Sequence, residues 1–391
     1  MFSRRSSWDL RANRLTAALE ARRRRGARLV DLTLSNPTRA GLPYPGQFRR
    51  ALDAADASRY EPEPCGLAVA RQAVSQYYAG RGVTVSPQQV VLTSSTSEAY
   101  AYLFKLLTDP GDQVLVPQPS YPLFEFLATL EQVETVSYPL RYGEAGWAVD
   151  VDRLAAALGP RTRAVVLVHP NNPTGSFVKQ HERGALEELA AEGDLALIAD
   201  EVFADYELPA PAHPRRAGSF AASSPVLTFA LSGLSKVMGL PQLKLSWITV
   251  QGPAARQQEA LGRLEVIADT YLSVNTPVQQ ALPALLAGRE AMQAEIRRRV
   301  QGNLALLRAR LARQGPARLL ACEGGWYAVL EVDADEEELA VGLVEREGVL
   351  VHPGYFFDFP RGAHVVLGLL SPQMEEGLGL LLAKLHRPGG T

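Results

Sequence analysis

The sequence lacks the features that mark secreted and membrane-spanning proteins. Only two of its 391 residues are cysteines, Cys65 and Cys322, and they stand far apart with no partner motif. Such sparse cysteine excludes a disulfide framework and a cysteine metal site, and it is typical of a reducing compartment. Residues 1–19 are polar and arginine-rich, and no run of about 18 apolar residues is present that could span a bilayer. We therefore expect a cytoplasmic protein with no membrane partner and no bound metal.

A strong charge of one sign is also absent. The formal net charge is -2, with 40 lysines and arginines against 42 acidic residues, so nucleic acid is not expected as a partner. One basic run, Arg22–Arg25 before Gly26, has two interpretations: a patch that binds nucleic acid or membrane, or the last turn of a helix. Cations complement the helix dipole at that end, and glycine often follows it. No second basic cluster accompanies the run, which favours the helix end.

From residue 90 the sequence alternates between short apolar runs and longer amphipathic segments. This alternation predicts right-handed crossovers and a mainly parallel sheet that is covered by helices on both faces. The predicted strands are residues 90–93, 114–117, 164–168, 195–199 and 226–231, and the predicted helices include residues 99–107 and 179–191.

The C-terminal part of the sequence departs from this alternation. A helical stretch, residues 281–312, is predicted to begin near Thr276 and to end before Gly315, and a mixture of strands and an acidic helix follows. Because 391 residues exceed the usual size of one hydrophobic core, we predict two domains. They comprise residues 1–45 as an N-terminal arm and part of the small domain, 46–275 as the large domain and 276–391 as the small α+β domain, with strands at 326–332, 349–352 and 364–369 and the acidic helix at 333–347.

Polar side chains follow every predicted strand of the large domain. In an open α/β sheet, ligands bind beyond the carboxyl ends of the strands, so these side chains are expected to meet in one pocket. Each cluster is a weak signal by itself, and together they predict a binding site. In chain order the clusters are Ser94–Ser97, Pro119–Pro122, His169–Gly175, Asp200–Glu201 and Ser232–Lys236.

Each cluster also has a purely structural interpretation. Residues 95–97 open a predicted helix, where free N–H groups attract an anion, but serine and threonine are favoured there as simple caps. Residues 172–175 have the composition of a tight turn. Asp200 follows an apolar run and needs a polar partner if it is buried, although it could lie in an exposed loop. The amine of Lys236 would lose its proton readily if it were shielded from water, but most lysines are solvated.

Three segments identify a family. "HPNNPTG" at residues 169–175, "ADEVF" at 199–203 and "SGLSKVMGLPQLKLSW" at 232–247 have the order and spacing of the class I/II aminotransferases, the fold-type I pyridoxal-phosphate enzymes. The sequence resembles this family over nearly its whole length, and "LSNPTRAGLPYP", "DPGDQVLVPQPSYP", "EGGWYAVLEV" and "GVLVHPGYFF" match it on either side. The resemblance implies an α/β fold, with a mainly parallel seven-stranded sheet sandwiched by helices in a large domain that binds pyridoxal 5'-phosphate, and a smaller α+β domain.

The resemblance implies a role for each matching residue. Lys236 would form a Schiff base with the cofactor aldehyde and then act as general acid and base in the proton shift of the substrate. Asp200 would keep the pyridine nitrogen protonated, so that the ring accepts electrons. Asn172 would hydrogen-bond the phenolic oxygen of the cofactor, and Tyr121 would stack on the pyridine ring.

The resemblance also implies a phosphate site and a second subunit. Ser95, Thr96 and Ser97, helped by Ser235, would hold the phosphate group. Tyr60 matches a tyrosine that the family contributes to the active site of the neighbouring subunit. A homodimer with shared active sites is therefore expected.

Three positions depart from the family pattern. Phe203 stands where the family has a tyrosine, so a hydroxyl bond to the phenolic oxygen is missing, and Tyr206 is a candidate for replacing it. Lys244 stands at the position of a phosphate-binding arginine and supplies a point charge without the bidentate fork. Val366 stands where the family has the arginine that clamps the substrate carboxylate. An apolar side chain does not bind a carboxylate, so we expect either another cation, with Arg39 as a candidate, or a different mode of binding.

The expected activity is reversible amino transfer between an amino acid and a 2-oxo acid. A small neutral amino acid such as alanine fits the absence of an extra basic pair for a second carboxylate. The alternatives are another pyridoxal-phosphate reaction on the same fold, by a lyase, decarboxylase or oxidase, and a non-catalytic effector-binding protein. Regulators of the latter kind carry this fold behind a DNA-binding domain, whereas only 30 residues precede Asp31. A plain nucleotide-binding protein is the least expected class, because neither GxGxxG nor GxxxxGKS/T is present.

Overall fold

A computed structural model describes residues 1–55, 58–209, 215–312 and 315–386. None of the helices in these ranges is both long and apolar enough to cross a bilayer. The strands are β1 Val30–Asp31, β2 Val90–Thr93, β3 Gln113–Gln118, β4 Glu134–Gly143, β5 Gly146–Val149, β6 Thr162–Val168, β7 Ala196–Asp200, β8 Thr228–Gly233, β9 Ser246–Gln251, β10 Ala317–Leu319, β11 Tyr327–Val332, β12 Val349–Leu350, β13 His352–Pro353 and β14 Ala363–Gly368. The α-helices are α1 Arg14–Arg24, α2 Gly46–Asp53, α3 Ala68–Ala79, α4 Thr96–Leu107, α5 Leu123–Leu130, α6 Val151–Ala157, α7 Gln180–Glu192, α8 Leu234–Val237, α9 Ala254–Tyr271, α10 Thr276–Ala287, α11 Arg289–Leu311, α12 Glu336–Gly342 and α13 Met374–Leu385.

The larger sheet has eight strands in the order β2-β9-β8-β7-β6-β3-β4-β5 within the described ranges. Neighbouring strands from β8 to β4 are parallel, whereas β9 is antiparallel to both β2 and β8. The predicted mainly parallel sheet is therefore confirmed. It has one strand more than the seven expected, because β5 turns back on β4 and pairs with it at the edge.

The five strands predicted from apolar runs are all present, with ends that differ by at most two residues. β7 is apolar up to its last residue and β8 is buried along its whole length, as expected for strands that are covered on both faces. Leu103 and neighbours from α4, α5 and α9 pack on one face, and Leu186 with residues of α3, α6 and α7 packs on the other. The helices thus leave the carboxyl ends of β6, β7 and β8 as the place where polar side chains gather.

The C-terminal part contains a second, antiparallel sheet in the order β10-β11-β14-β13. β1 pairs in parallel with β12, so the N-terminal segment contacts this part of the molecule. The helix predicted over residues 281–312 is divided at Gly288 into α10 and α11, and the strand predicted over 349–352 is divided into β12 and β13. The domain boundaries after residues 45 and 275 stay predictions.

The basic run near the N-terminus lies at a helix end. α1 ends at Arg24, and Gly26 adopts a positive φ of 62°, a conformation that glycine reaches without strain. Arg22 donates hydrogen bonds to the backbone carbonyls of Arg28, at 2.7 Å, and Val344, at 2.9 Å. At least one cation of the run is therefore used to hold α1 against the C-terminal part of the chain.

Candidate active site

A cavity of about 210 Å³ lies at the carboxyl ends of the parallel strands, and Tyr327 at the start of β11 reaches it from the smaller sheet. A surface groove of about 450 Å³ at the amino ends of β6, β7 and β8 contains none of the predicted site residues. The predicted residues that line the cavity are Thr96, Ser97, Tyr121, Asn172, Asp200, Phe203, Ser235 and Lys236.

Lys236 lies in the single-turn helix α8, directly after β8. Its Nζ is 5.3 Å from the ring centroid of Trp326 and 5.6 Å from that of Phe203, so aromatic rings surround the amine. Burial lowers the pKa of Lys236, and the nearby carboxylate of Asp200 opposes this shift. A lowered pKa increases the fraction of neutral amine, and only the neutral amine is a nucleophile.

Asp200 ends β7 and faces the same cavity. Burial raises the pKa of Asp200 to about 6, although hydrogen bonds from the Val202 N–H and the Tyr100 hydroxyl and the charge of Lys236 all act to lower it. The two donors lie 3.1 and 3.3 Å from the carboxylate oxygens. A carboxylate whose burial is not fully compensated favours a cation beside it. Two ionisable groups with shifted pKa values in one cavity are typical of an active site.

The segment after β6 is a tight turn, as its composition predicts. The backbone N–H of Asn171 donates to the carbonyl of Ser176 at 2.8 Å, and the hydroxyl of Thr174 donates to Oδ1 of Asn171 at 3.0 Å. Gly175 has a φ of 71°, and a Cβ there would stand 2.5 Å from the carbonyl oxygen of Gly324. Asn172, in contrast, lines the cavity, and its buried Oδ1 has no hydrogen-bond partner among the described residues. Such an unsatisfied buried atom marks a position that a ligand can complete.

At the start of α4 the capping interpretation of residues 95–97 holds for Ser95, and the anion-binding interpretation stays a prediction. Ser95 is the N-cap, because its hydroxyl accepts a hydrogen bond from the N–H of Glu98 at 3.1 Å. Thr96 and Ser97 lie in the first turn and line the cavity. The free N–H groups and the positive dipole end of a helix make this position suitable for an anion.

Tyr206 lies behind the cavity rather than in its lining. It is fully buried, and its hydroxyl donates a hydrogen bond to the backbone carbonyl of Lys236 at 2.7 Å. This carbonyl is in the last turn of α8, where it also accepts a longer hydrogen bond from the N–H of Gly239 at 3.3 Å. The Tyr206 ring also contacts Trp326 edge-on, with 5.1 Å between centroids. Tyr206 therefore supports the main chain of Lys236 instead of placing a hydroxyl in the cavity beside Phe203.

Several predicted residues do not line the cavity. Ser95 is used as a cap, and Tyr60 is 68% exposed. Lys244 is exposed and has a left-handed φ of 52°. Arg39 is also exposed, and Val366 is fully buried in the smaller sheet. The roles predicted for these residues stay predictions.

Other lining residues are missed by the sequence analysis. Tyr100 follows Thr96 by one helical turn, so the spacing places both on one face of α4 and would have allowed its prediction. Tyr327 comes from the smaller sheet, and no local pattern shows that it meets the strand ends of the larger one. The lining residues outside the predicted set are Ser35, Tyr100, Leu123, Phe124, Val168, Val202 and Tyr327. No cluster of three or more metal-ligating side chains occurs among the residues that the structure describes.

A half-buried lysine and a half-buried carboxylate at the carboxyl edge of a mainly parallel sheet form the arrangement that the resemblance to pyridoxal-phosphate enzymes implies. Residues 41–378 match the family Aminotransferase class I and II, and the chain belongs to this family. It is 28% identical over 388 residues to the glutamate-pyruvate aminotransferase AlaA of Escherichia coli K12, covering 93% of this chain and 90% of that one. It is 29% identical over 371 residues to an alanine aminotransferase of Mycobacterium tuberculosis H37Rv, covering 90% and 83%. The chain is thus a pyridoxal-phosphate-dependent aminotransferase, and the resemblance seen in the sequence is confirmed.

Solved structures show the same fold. An alanine aminotransferase from Pyrococcus furiosus superposes with a TM-score of 0.88 at 24% identity, covering 98% of this chain and 99% of that one. A Thermus thermophilus aspartate aminotransferase variant gives a TM-score of 0.83 at 24% identity, with 98% and 99% covered. These similarities confirm the predicted fold-type I architecture of a large α/β part and a smaller α+β part.

Proposed function

We propose that the chain transfers an amino group between an amino acid and a 2-oxo acid, with Lys236 as the residue that binds the cofactor. The observation that carries this proposal is the pair of Lys236 and Asp200, whose pKa values are shifted by burial in one cavity. Alanine and pyruvate are proposed as one pair of amino acid and 2-oxo acid, and glutamate with its 2-oxo acid as the second pair, since the relatives named above are glutamate-pyruvate and alanine aminotransferases.

The residues of the cavity fit pyridoxal phosphate. Thr96 and Ser97, at the positive end of α4, and Ser235 provide hydroxyl donors for a phosphate group. Asn172 lines the cavity with an amide whose N–H group can donate to the phenolic oxygen, and Asp200 is available for a protonated ring nitrogen. When bound, this cofactor supplies an aldehyde that condenses with an amine and a ring that accepts electrons from the substrate.

Each protein group has a defined task in this proposal. Lys236 attacks as the neutral amine, and its Nζ then moves the proton at the α-carbon of the substrate. Asp200 holds a proton on the ring nitrogen, because burial raises the pKa of its carboxyl group and a cationic partner stabilises the buried carboxylate. Tyr121, which lines the cavity, covers the ring and limits the access of water. Ser95 supports the phosphate site indirectly, because it caps α4.

We also propose a homodimer, in which Tyr60 acts at the active site of the partner, while Lys244 supplies a point charge for the phosphate group. Support comes from the exposure of Tyr60, Val266 and Leu272, which are 68%, 69% and 59% accessible in the single chain. Large apolar side chains in contact with water are typical of an interface. Light scattering of the purified protein measures the mass, and a monomer would refute the shared site.

The free cysteines Cys65 and Cys322 support a cytoplasmic location.

Reduction with borohydride followed by peptide mapping tests the role of Lys236. The cofactor is expected on Lys236 and on no other lysine, and a label elsewhere would refute the assignment. L-Alanine alone is then expected to convert the cofactor to its amine form, and pyruvate to restore it. A lyase or decarboxylase on the same fold would release a product and leave the cofactor absorbance unchanged, so this half-reaction separates the alternatives.

A further inference from the structure

Tyr100 lies between the hydrophobic core and the cavity. It is on α4, one helical turn after Thr96, and it lines the cavity although the residue is only 2% exposed. Its ring packs edge-on against Phe124, with 5.2 Å between centroids, and tilted against Phe104, with 6.0 Å. These contacts fix the direction in which the hydroxyl points. A buried hydroxyl is costly without a hydrogen-bond partner, so the identity of the partner shows what the side chain does.

The partner of the Tyr100 hydroxyl is the carboxylate of Asp200. The hydroxyl donates to Oδ2 of Asp200 at 3.3 Å, and the N–H of Val202 donates to Oδ1 at 3.1 Å. Each carboxylate oxygen therefore has one protein donor and keeps a lone pair for a further partner. A phenylalanine at position 100 would occupy nearly the same volume and would leave Oδ2 without this donor.

The other titratable groups near Asp200 are one amine and two phenols. Lys236 is a charged side chain that faces Asp200 across the cavity. Tyr121 and Tyr327 also line the cavity. Burial raises the pKa of each of these phenols and that of Tyr100, so all three keep their protons near pH 7. Tyr100 is thus a neutral donor in direct contact with the carboxylate.

The basicity of Asp200 decides where the proton between its carboxylate and the cofactor ring lies. Burial raises the pKa of Asp200 to about 6 even with both donors in place. The hydrogen bond from Tyr100 favours the charged form, so its loss raises the pKa further. A pyridine nitrogen is itself a weak base, and a more basic carboxylate would take its proton. The ring would then be neutral and would accept electrons less well.

We propose that Tyr100 is a positioning residue of the active site, whose hydroxyl keeps Asp200 in its charged form so that the shared proton stays on the ring nitrogen of the cofactor. The inference rests on the proposed function, which pairs Asp200 with that nitrogen. Tyr100 acts through Asp200 rather than on the substrate. Because Thr96 contributes to the proposed phosphate site, α4 then supports both ends of the cofactor.

Tyr100→Phe in the holoenzyme tests the proposal, and Tyr102→Phe is the matched control. Tyr102 is on the same helix and is 1% exposed, but its hydroxyl contacts Ser273 at 3.4 Å and lies outside the cavity lining. When the ring of the bound cofactor is labelled with nitrogen-15, the NMR signal of the label reports whether the nitrogen carries a proton. Tyr100→Phe should move this signal toward that of Asp200→Asn, which provides the unprotonated reference. Tyr102→Phe should leave the signal unchanged, and an unchanged signal in Tyr100→Phe overturns the proposal.

Unfolding of the cofactor-free chain at a series of pH values gives a second measurement. The folded-state pKa of Asp200 is raised from 3.8 to about 6, so stability falls as the pH rises between these values. Tyr100→Phe should extend this fall upward by about one pH unit, which corresponds to the loss of a hydrogen bond to a charged group. In the Asp200→Asn background the same substitution should lower stability equally at every pH. An equal loss at every pH in both backgrounds would show a purely structural role and would refute the proposal.

Steady-state kinetics give a third measurement. Tyr100→Phe should lower kcat by about 10-fold with little change in KM, because the hydrogen bond acts on the ring and not on substrate binding. Tyr102→Phe should retain both constants, and an equal kcat in the two variants would contradict the inference.

The NMR signal of the unaltered holoenzyme separates the inference from the proposed function. An unprotonated ring nitrogen there would refute the proposed role of Asp200 and the inference with it. A protonated nitrogen that Tyr100→Phe does not affect would refute the inference alone.

Discussion

The two sides of the cavity differ in chemistry. The side formed by the larger sheet carries Lys236, Asp200 and Asn172, with two shifted pKa values and one unsatisfied amide. On the side of the smaller sheet, Tyr327 lines the cavity, Phe357 packs edge-on against it, and the valines of β11 and β14 are buried. Parallel strands expose their carboxyl ends in one row, so reactive groups collect there, whereas the strands of the smaller sheet present a packed face. The difference indicates that the larger sheet performs the chemistry and that the smaller one shapes the space for the substrate.

Of the changes to the two sides of the cavity, removal of the Lys236 amine is expected to have the largest effect on activity. Lys236→Ala should lower kcat by about 10⁴-fold or more, because the residue acts both as nucleophile and as proton carrier. Steady-state kinetics with alanine and 2-oxo acids measure the loss. Lys384→Ala in α13, away from the cavity, is the control and should retain full activity. If Lys236→Ala turned over substrate about as fast as the unaltered chain, the side formed by the larger sheet would not perform the chemistry.

The next largest effect is expected where the two sides join. Lys179 follows the turn that holds Asn172, and its buried Nζ lies 2.6 Å from a carboxylate oxygen of Glu323, which precedes β11. Lys179→Met leaves Glu323 with Arg216 as its remaining cation, at 3.3 Å. The free energy of unfolding should fall by about 3 kcal/mol, because a buried charge loses its partner.

Denaturant unfolding of the holoenzyme measures this change. Arg318→Met is the control, because Arg318 forms an exposed pair with Glu331 at 2.7 Å and such pairs contribute less than about 1 kcal/mol. The double variant Lys179→Met, Glu323→Gln should recover part of the loss. Equal losses in the free energy of unfolding for Lys179→Met and Arg318→Met would show that the buried pair does not stabilise the contact between the two sides of the cavity.

In the cofactor-free chain, the ionised carboxylate of Asp200 is expected to lower the free energy of unfolding. Asp200 has a folded-state pKa of about 6 against an ordinary 3.8, so the folded chain retains a proton that the unfolded chain releases between these values. Stability of the cofactor-free chain therefore falls as the pH rises from 3.8 to 6. Asp200→Asn removes this cost and should be more stable than the unaltered cofactor-free chain by about 2 kcal/mol at pH 8, with no such gain below the ordinary pKa of Asp200.

Unfolding curves of the cofactor-free proteins across this pH range provide the measurement. Asp53→Asn on exposed α2 controls for the change in net charge and should show no such pH-dependent gain. With pyridoxal phosphate bound, the unaltered chain should be more stable than Asp200→Asn, since the carboxylate then has its cationic partner. A constant difference across the pH range would contradict the assignment of the shift to Asp200.

The smallest effect is expected from the support behind Lys236. Tyr206→Phe removes the hydroxyl that bonds the Lys236 carbonyl and should cost about 1 kcal/mol of stability. It should also lower kcat, with little change in KM, because the amine loses its position rather than its chemistry. Tyr138→Phe is the matched control, since the buried Tyr138 hydroxyl donates to the carbonyl of Val166 at 2.8 Å. Both variants should lose stability, and an equal kcat in both would refute a positioning role for Tyr206.

Much of the side of the cavity that carries Lys236 and Asp200 could be predicted from local sequence. An apolar run that ends in a polar residue predicts both a strand and its carboxyl end, which is why Asp200 and Lys236 are expected in one pocket. β4 and β9 escape this rule, because β4 is half-exposed at the edge region and β9 buries polar residues such as Thr249. Tyr206 shows a second limit, because the sequence presents a hydroxyl three residues after Phe203 without showing which way it points.

The sequence by itself determined the sheet, the family and most of the polar residues that line the cavity, because strand pattern and strand-end chemistry are local properties of the chain. Tertiary structure alone decided that Phe357, Val366 and Tyr327 form one apolar face, since antiparallel register brings together residues far apart in the sequence. It also decided the ionisation of Lys236 and Asp200. A pKa depends on the water and charges that surround a group, and only the packed molecule sets these.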